Sequence, residues 1–283
     1  MNISKDEVIR LIQSEDKKDL HLHTVYSDGV LTPEQLVDRW AAEGNKIIAV
    51  TDHDGIGGSI VAVEYVKDKD IIVIPGIEFD SENELGRDLH VLGYGIDFEN
   101  KVLKERLDEI LKWRSERNQE VISILHNKGL DITDEEIYAV NEGRYVGKPT
   151  FAKVLVNRGL YPNMRTAFDA LFSHDPDIHK INKHTLASKV VVDTIHEAGG
   201  LAVLAHPMEQ MRTIETFEEY KPRLIHLLDT FVEYGIDGIE CYHPSALEEN
   251  AEFLRKYAES KNLLVTCGSD FHYDGLSRSY TID

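Results

Sequence analysis

Seven short apolar runs in this chain end in, or lead straight into, a histidine or a carboxylate. Asp19-Leu20-His21-Leu22-His23 is followed by Asp28, and Ile47-Ile48-Ala49-Val50 runs into Asp52-His53-Asp54. Ile71-Ile72-Val73-Ile74 runs into Glu78, His90 opens Val91-Leu92-Gly93-Tyr94, and Leu201-Ala202-Val203-Leu204-Ala205 ends in His206. Gly238-Ile239-Glu240 leads to His243, and Leu263-Leu264-Val265-Thr266 leads to Ser269-Asp270-Phe271-His272. Such runs read as buried parallel strands. Polar groups gathered at strand C-termini are how barrel enzymes assemble a site. Imidazole and carboxylate together are the ligand chemistry of zinc, manganese or iron.

Helical patterns alternate with the runs. Residues 3–16 read as a short amphipathic helix, Pro33 to Glu43 as a helix capped by Thr32 with proline at its first position, and Gly58 to Lys67 as another. From Glu99 to about Ala187 the strand rhythm stops and Leu103, Leu107, Ile110, Leu111 and Arg114 follow helical spacing. Thr133-Asp134-Glu135-Glu136 reads as a capping box. Alternation resumes with a helix from Ser188 to Ala198. The expected organisation is α/β: one barrel-like unit over 1–98 and 188–283, interrupted by an all-helical insertion over 99–187.

A chain of 283 residues can bury one large core or one barrel with an elaboration. No apolar stretch approaches the roughly 20 residues of a membrane span, and the polar, acidic start Met1–Glu7 is not a secretory signal. The two cysteines, Cys241 and Cys267, each adjoin an apolar run and read as buried thiols in a reducing cytoplasm. The formal charge is −20. That repels long duplex nucleic acid, whose binding depends on phosphate neutralisation. A metal cluster inverts the local field, so a nucleotide or short oligomer stays admissible. The insertion holds 14 basic and 14 acidic residues, so the whole excess of negative charge lies in the barrel portion.

His21 and His23 are two apart on a predicted strand, so their rings share a face; Asp270 and His272 repeat the relation. Asp28 in Ser27-Asp28-Gly29 would alone be a turn former, and His206 alone a buried, hydrogen-bonded histidine. Asp52 is the expected partner orienting His53. Glu78 follows a buried strand, where an unpaired carboxylate is costly and a metal would satisfy both oxygens. Nine candidate ligands on six strand ends are hard to explain as unrelated core histidines and turn aspartates.

These motifs also resemble those of the polymerase and histidinol phosphatase (PHP) family. The resemblance rests on Asp19-Leu20-His21-Leu22-His23-Thr24 with Ser27-Asp28-Gly29, Thr51-Asp52-His53-Asp54, Pro75-Gly76-Ile77-Glu78, the run ending in His206-Pro207, and Gly268-Ser269-Asp270-Phe271-His272. It implies a distorted (β/α)7 barrel holding two or three divalent ions (manganese, iron or zinc). One would be held by His21, His23, Glu78 and Asp270, a second by Glu78, His90 and His206, and a third by Asp28, His53 and His272. The insertion is similar to that of the small prokaryotic phosphoesterases of the family, which act on nucleoside monophosphates, cyclic phosphates and short RNA.

The ligand set then implies hydrolysis of a phosphoester by a metal-bridging hydroxide. His243, in Cys241-Tyr242-His243-Pro244, is the candidate general acid or phosphate contact. Arg144, Lys148, Lys180 and Lys183 in the insertion are the candidate phosphate-binding cations, with His179 and His184 beside the last two. The alternatives are a histidinol-phosphate phosphatase on the same barrel, an amidohydrolase-type hydrolase, and a non-catalytic metal-binding module.

Overall fold

Thr32 opens a helix because its side chain accepts from Gln35 N–H while the Gln35 side chain returns to Thr32 N–H, and Pro33 brings a pre-set φ at the first helical position. Local signals of this kind punctuate the chain into alternating elements. The computed structural model describes residues 3–140, 146–181 and 184–273. In chain order the elements are α1 (Lys5–Gln13), β1 (Lys18–Leu22), α2 (Pro33–Ala42), β2 (Ile47–Val50), α3 (Gly57–Tyr65), β3 (Ile72–Asn83), β4 (Gly86–Tyr94), α4 (Lys101–Asn127), α5 (Asp134–Val140), α6 (Lys148–Asn157) and α7 (Met164–Phe168). There follow β5 (Leu186–Ala187), α8 (Ser188–Glu197), β6 (Leu201–Leu204), α9 (Phe217–Tyr234), β7 (Gly238–Tyr242), α10 (Glu248–Ser260) and β8 (Leu264–Cys267).

The sheet runs β1-β2-β3-β4-β6-β7-β8, with β5 attached to β3. A parallel bridge between Leu22 and Phe271, with His23 N–H donating to Phe271 O at 3.0 Å, brings the last strand back to the first. The fold is therefore a distorted (β/α)7 barrel. The distortion corrects one sequence expectation: β4 is antiparallel to both β3 and β6. β3 continues through Glu78 and turns as a hairpin, so Glu78 and His90 sit within strands and not beyond their ends. A short strand, β5, also lies where the insertion was expected to be wholly helical; it pairs with Ser81 and Glu82.

Inside the barrel, Leu20, Ile47, Ile74, Leu92, Leu201 and Val203 form one apolar cluster with Val8, Leu11 and Ile12 of α1. The parallel-strand members stand before the polar residues of β1, β2 and β6, so α1 plugs the end opposite the histidines. Each of its three side chains contributes about 1.5–3 kcal/mol by burial. Helix α4 belongs to two cores. Leu103, Leu107 and Ile110 pack with barrel residues such as Val191 and Phe231. Val121, Ile122 and Leu125 pack instead with Ile137, Phe151, Leu155 and Phe172 of the following helices. No helix among the described residues is long and apolar enough to cross a membrane.

Candidate metal centre

The pleat of β1 places His21 and His23 on one face, both fully buried. His21 Nε2 and His23 Nε2 each lie 3.2 Å from Glu78 Oε2. The same nitrogens lie 3.4 and 3.1 Å from Asp270 Oδ1. The other oxygen of Glu78 faces a second group: Oε1 is 3.0 Å from His90 Nδ1 and 3.1 Å from His206 Nε2, and the two nitrogens are 3.2 Å apart. A third group gathers around Asp28, whose Oδ1 is 3.2 Å from His272 Nε2 and 3.8 Å from His23 Nδ1, and whose Oδ2 is 3.9 Å from His53 Nε2. The nine expected ligands thus converge, with Glu78 between the first two groups.

These residues fit divalent cations. His21 Nε2, His23 Nε2, Asp28 Oδ1 and Glu78 Oε2 are buried and make no aligned hydrogen bond, an arrangement that is costly unless something else engages them. Tetrahedral ligands at 2.0–2.2 Å stand about 3.3–3.6 Å from one another. The 3.1–3.4 Å spacings in the first group come within about 0.2 Å of that range.

Strain at the strand exits agrees with a functional centre. Asp54, His206 and Asp270 adopt φ of 49°, 24° and 51°, conformations that cost of order 1–3 kcal/mol each for non-glycine residues. Gly268 allows β8 to pass close to β1, since a Cβ there would stand 2.2 Å from His21 Cβ.

Sequence reasoning missed the groups that hold the ligands. Glu240, fully buried, places Oε1 3.0 Å from His21 Nδ1 and accepts His206 N–H on Oε2 at 2.9 Å. His21 Nδ1–H is thereby occupied and its Nε2 lone pair faces the centre. Asp19 accepts from Trp40 Nε1 and Ser269 N–H, tying β1 to the loop that carries Asp270. The signal for both was a carboxylate on a buried strand. The expected pairing of Asp52 with His53 is corrected: Asp52 instead accepts from Thr24 N–H, Thr24 Oγ1 and Ser27 Oγ at 2.7–2.8 Å. Ser27 Oγ in turn lies 3.3 Å from His23 Nδ1, so Asp52 shapes the loop after β1.

At Glu78 and His23 burial opposes the charged form, yet attraction between neighbours prevails. Burial pushes the Glu78 carboxyl up, and the charges of His21, His53 and His90 hold it well below the usual range. Burial likewise disfavours the His23 imidazolium, but Asp270 and Glu78 carry its pKa up to about 10. A bound cation would replace those imidazolium charges.

His243 is nearly buried, with Nε2 3.4 Å from Asp270 Oδ2. Its Nδ1 accepts Ser245 N–H at 3.1 Å, so the proton of the neutral ring is on Nε2. Against the burial that disfavours its charge, the Asp270 contact and the Glu240 charge raise its pKa. The insertion reaches the centre through Arg114 of α4, which donates to Asp54 Oδ2 at 2.7 Å. Lys148 stands at the start of α6 with its ammonium 5.8 Å from the Phe172 ring centre. Lys180 and His184 are exposed, the latter 6.1 Å from the Trp113 ring, and His179 Nδ1 lies 3.0 Å from Phe172 O. Arg144 and Lys183 lie outside the described residues.

A 5′-3′ exoribonuclease of Haemophilus influenzae is 30% identical over 257 residues, covering 91% of this chain and 90% of its own. A 3′,5′-nucleoside bisphosphate phosphatase of Chromobacterium violaceum is 30% identical over 260 residues, covering 91% and 87%. Among solved structures, a provisionally assigned metal-dependent phosphoesterase of Bifidobacterium adolescentis superposes with a TM-score of 0.78 at 29% identity, covering 93% of this chain and 90% of that one. The PHP domain family matches residues 19–269. With barrel, motif order and ligand geometry in agreement, the chain belongs to the PHP family.

Proposed function

We propose that this metal-dependent phosphoesterase hydrolyses a small phosphorylated substrate: a nucleoside monophosphate, bisphosphate, cyclic phosphate or short oligonucleotide. The observation that carries the reading is the convergence of orphaned imidazole and carboxylate atoms on both oxygens of one buried carboxylate, Glu78. In this reading His21, His23, Glu78 and Asp270 hold one ion, Glu78, His90 and His206 a second, and Asp28, His53 and His272 a third. Their oxygen and imidazole character suits manganese, iron or zinc. Bound divalent cations supply Lewis-acid charge at phosphoryl oxygens and acidify water. The protein's own contribution is to fix those donors on adjoining strands and to deliver a proton. His243 carries that proton on Nε2 and gives it to the leaving oxygen, while Ser245 keeps Nδ1 engaged.

The charge-neutral insertion, read as a substrate cap over 99–187, then selects the leaving group. Lys148, Lys180, Arg144 and Lys183 are its proposed phosphate contacts, and Lys148→Ala should raise KM with metal content retained; unchanged kinetics would remove Lys148 from the site. Both relatives are named for nucleotide or RNA substrates, which favours nucleotides here. The two buried, unpaired thiols suit a reducing compartment and support a cytoplasmic location; recovery in another cell fraction would contradict it. The decisive experiment is a phosphate-release screen of manganese-loaded protein against nucleoside monophosphates, 3′,5′-bisphosphates, cyclic phosphates, dinucleotides and histidinol phosphate. Release from none, with metal bound, overturns the reading.

A further inference from the structure

Asp80 stands two residues after Glu78 on β3, on the same face, and is 4% exposed. Its Oδ1 lies 3.1 Å from His90 Nε2 and 3.3 Å from His53 Nδ1. The first is the ring nitrogen turned away from Glu78 Oε1 and His206, and the second stands between Asp80 Oδ1 and Glu78 Oε2, the latter 3.1 Å away. His90 presents Nδ1 to Glu78 Oε1 and His206, and His53 presents Nε2 to Asp28. We infer that Asp80 is a positioning residue that fixes the tautomers of His53 and His90 and so couples the second and third metal positions.

Proton placement on the two imidazoles gives Asp80 this role, which rests on the metal-centre reading above. A neutral imidazole has one lone pair and one N–H. If His90 Nδ1 and His53 Nε2 offer lone pairs to cations, then His90 Nε2 and His53 Nδ1 carry protons that need a buried acceptor. Glu78 Oε2 is also 3.1 Å from His53 Nδ1, but it faces His21 Nε2 and His23 Nε2 as well. That leaves Asp80 Oδ1, whose two lone pairs can serve both rings. A separate cation among His53, Asp80 and His90 is chemically worse, because both imidazoles would have to surrender their last proton to ligate on both nitrogens. Asp80 is itself held: its backbone N–H donates to Asp54 Oδ1 at 3.1 Å, and Asp54 Oδ2 accepts from Arg114 of α4. The device therefore extends from the metal groups to the insertion.

Partners that orient metal-bound histidines are typically worth 10–100-fold in metal affinity. The test is manganese binding by chelator competition and metal counting on wild type, Asp80→Ala and the isosteric Asp80→Asn. Two of the three ions should weaken by about 10–100-fold, while the ion of the His21–His23–Asp270 group keeps its affinity. Asp270→Asn should give the complementary pattern. In the zinc-loaded protein, nitrogen NMR should show His90 as the Nε2–H and His53 as the Nδ1–H tautomer, each altered by Asp80→Asn. Unchanged affinities in both Asp80 variants overturn the inference. So does a fourth wild-type ion that only the Asp80 variants lose, since Asp80 would then be a direct ligand. Wild-type protein that binds no manganese at all fails the metal-centre reading itself.

Discussion

Glu240→Gln separates an orienting role from a merely structural one, because glutamine keeps the shape and changes only what each terminal atom can do. The carboxylate serves two donors, His21 Nδ1–H at 3.0 Å and His206 N–H at 2.9 Å. An amide serves one. If its oxygen stays on His206 N–H, its NH2 faces His21 Nδ1 and forces that ring to carry its proton on Nε2, removing the lone pair aimed at Glu78 and Asp270. If its oxygen turns to His21, NH2 meets the His206 N–H and leaves a buried donor unpaired, at about 1–3 kcal/mol. Either orientation loses a charge-assisted contact. We expect manganese affinity at the His21 position to fall about 10–100-fold, the range of a lost orienting partner, equivalent to about 1.4–2.7 kcal/mol. The assay is manganese binding by chelator competition, paired with thermal denaturation and phosphate release on one preparation. Wild-type affinity together with a wild-type Tm would refute the tautomer argument.

Arg114→Ala takes the guanidinium away from Asp54 Oδ2 in a pair only 10% and 2% exposed; removing one partner of such a pair costs about 3 kcal/mol, or roughly 6–12 °C in Tm, and an unmoved Tm would contradict it. Gly268→Ala puts a Cβ 2.2 Å from His21 Cβ and 2.6 Å from Glu240 Oε1; overpacking of about 1–3 kcal/mol and a lost manganese ion should be seen by melting and metal counting, and wild-type values for both would refute the close approach. For pH, the raised values of His21, His23, His53 and His90 set the sign. A raised folded pKa stabilises fully below the unfolded value of 6.5 and loses that contribution as pH climbs, for His23 toward about 10. Manganese takes the place of those protons, so the Tm gain from manganese should keep growing as pH climbs from about 6.5 toward about 10. A gain independent of pH would refute the exchange.

Which parts of this site the sequence could reveal follows from what residue spacing encodes. Spacing of two on a strand encodes a shared face, so His21 with His23 is readable as a pair from sequence alone. The direction of a strand has no such signature: an apolar run alternates identically read either way, which is why β4 was expected parallel and is antiparallel on both sides. The single helix α4 likewise shows one continuous stripe, although its first half packs on the barrel and its second on the insertion's own cluster. Three carboxylates show the same limit in the centre. Asp52 adjoins His53 in sequence and was given the task of orienting it, yet its oxygens turn to Thr24 and Ser27. Glu240, 219 residues from His21, does that work for the first group. Asp80 adjoins neither ring it touches, since β3 reaches His90 only through the hairpin and His53 only through the neighbouring strand exit. Ligands are legible because several strands repeat the same ending. The partners that fix which nitrogen binds are set by register between strands, and no single segment of sequence contains that register.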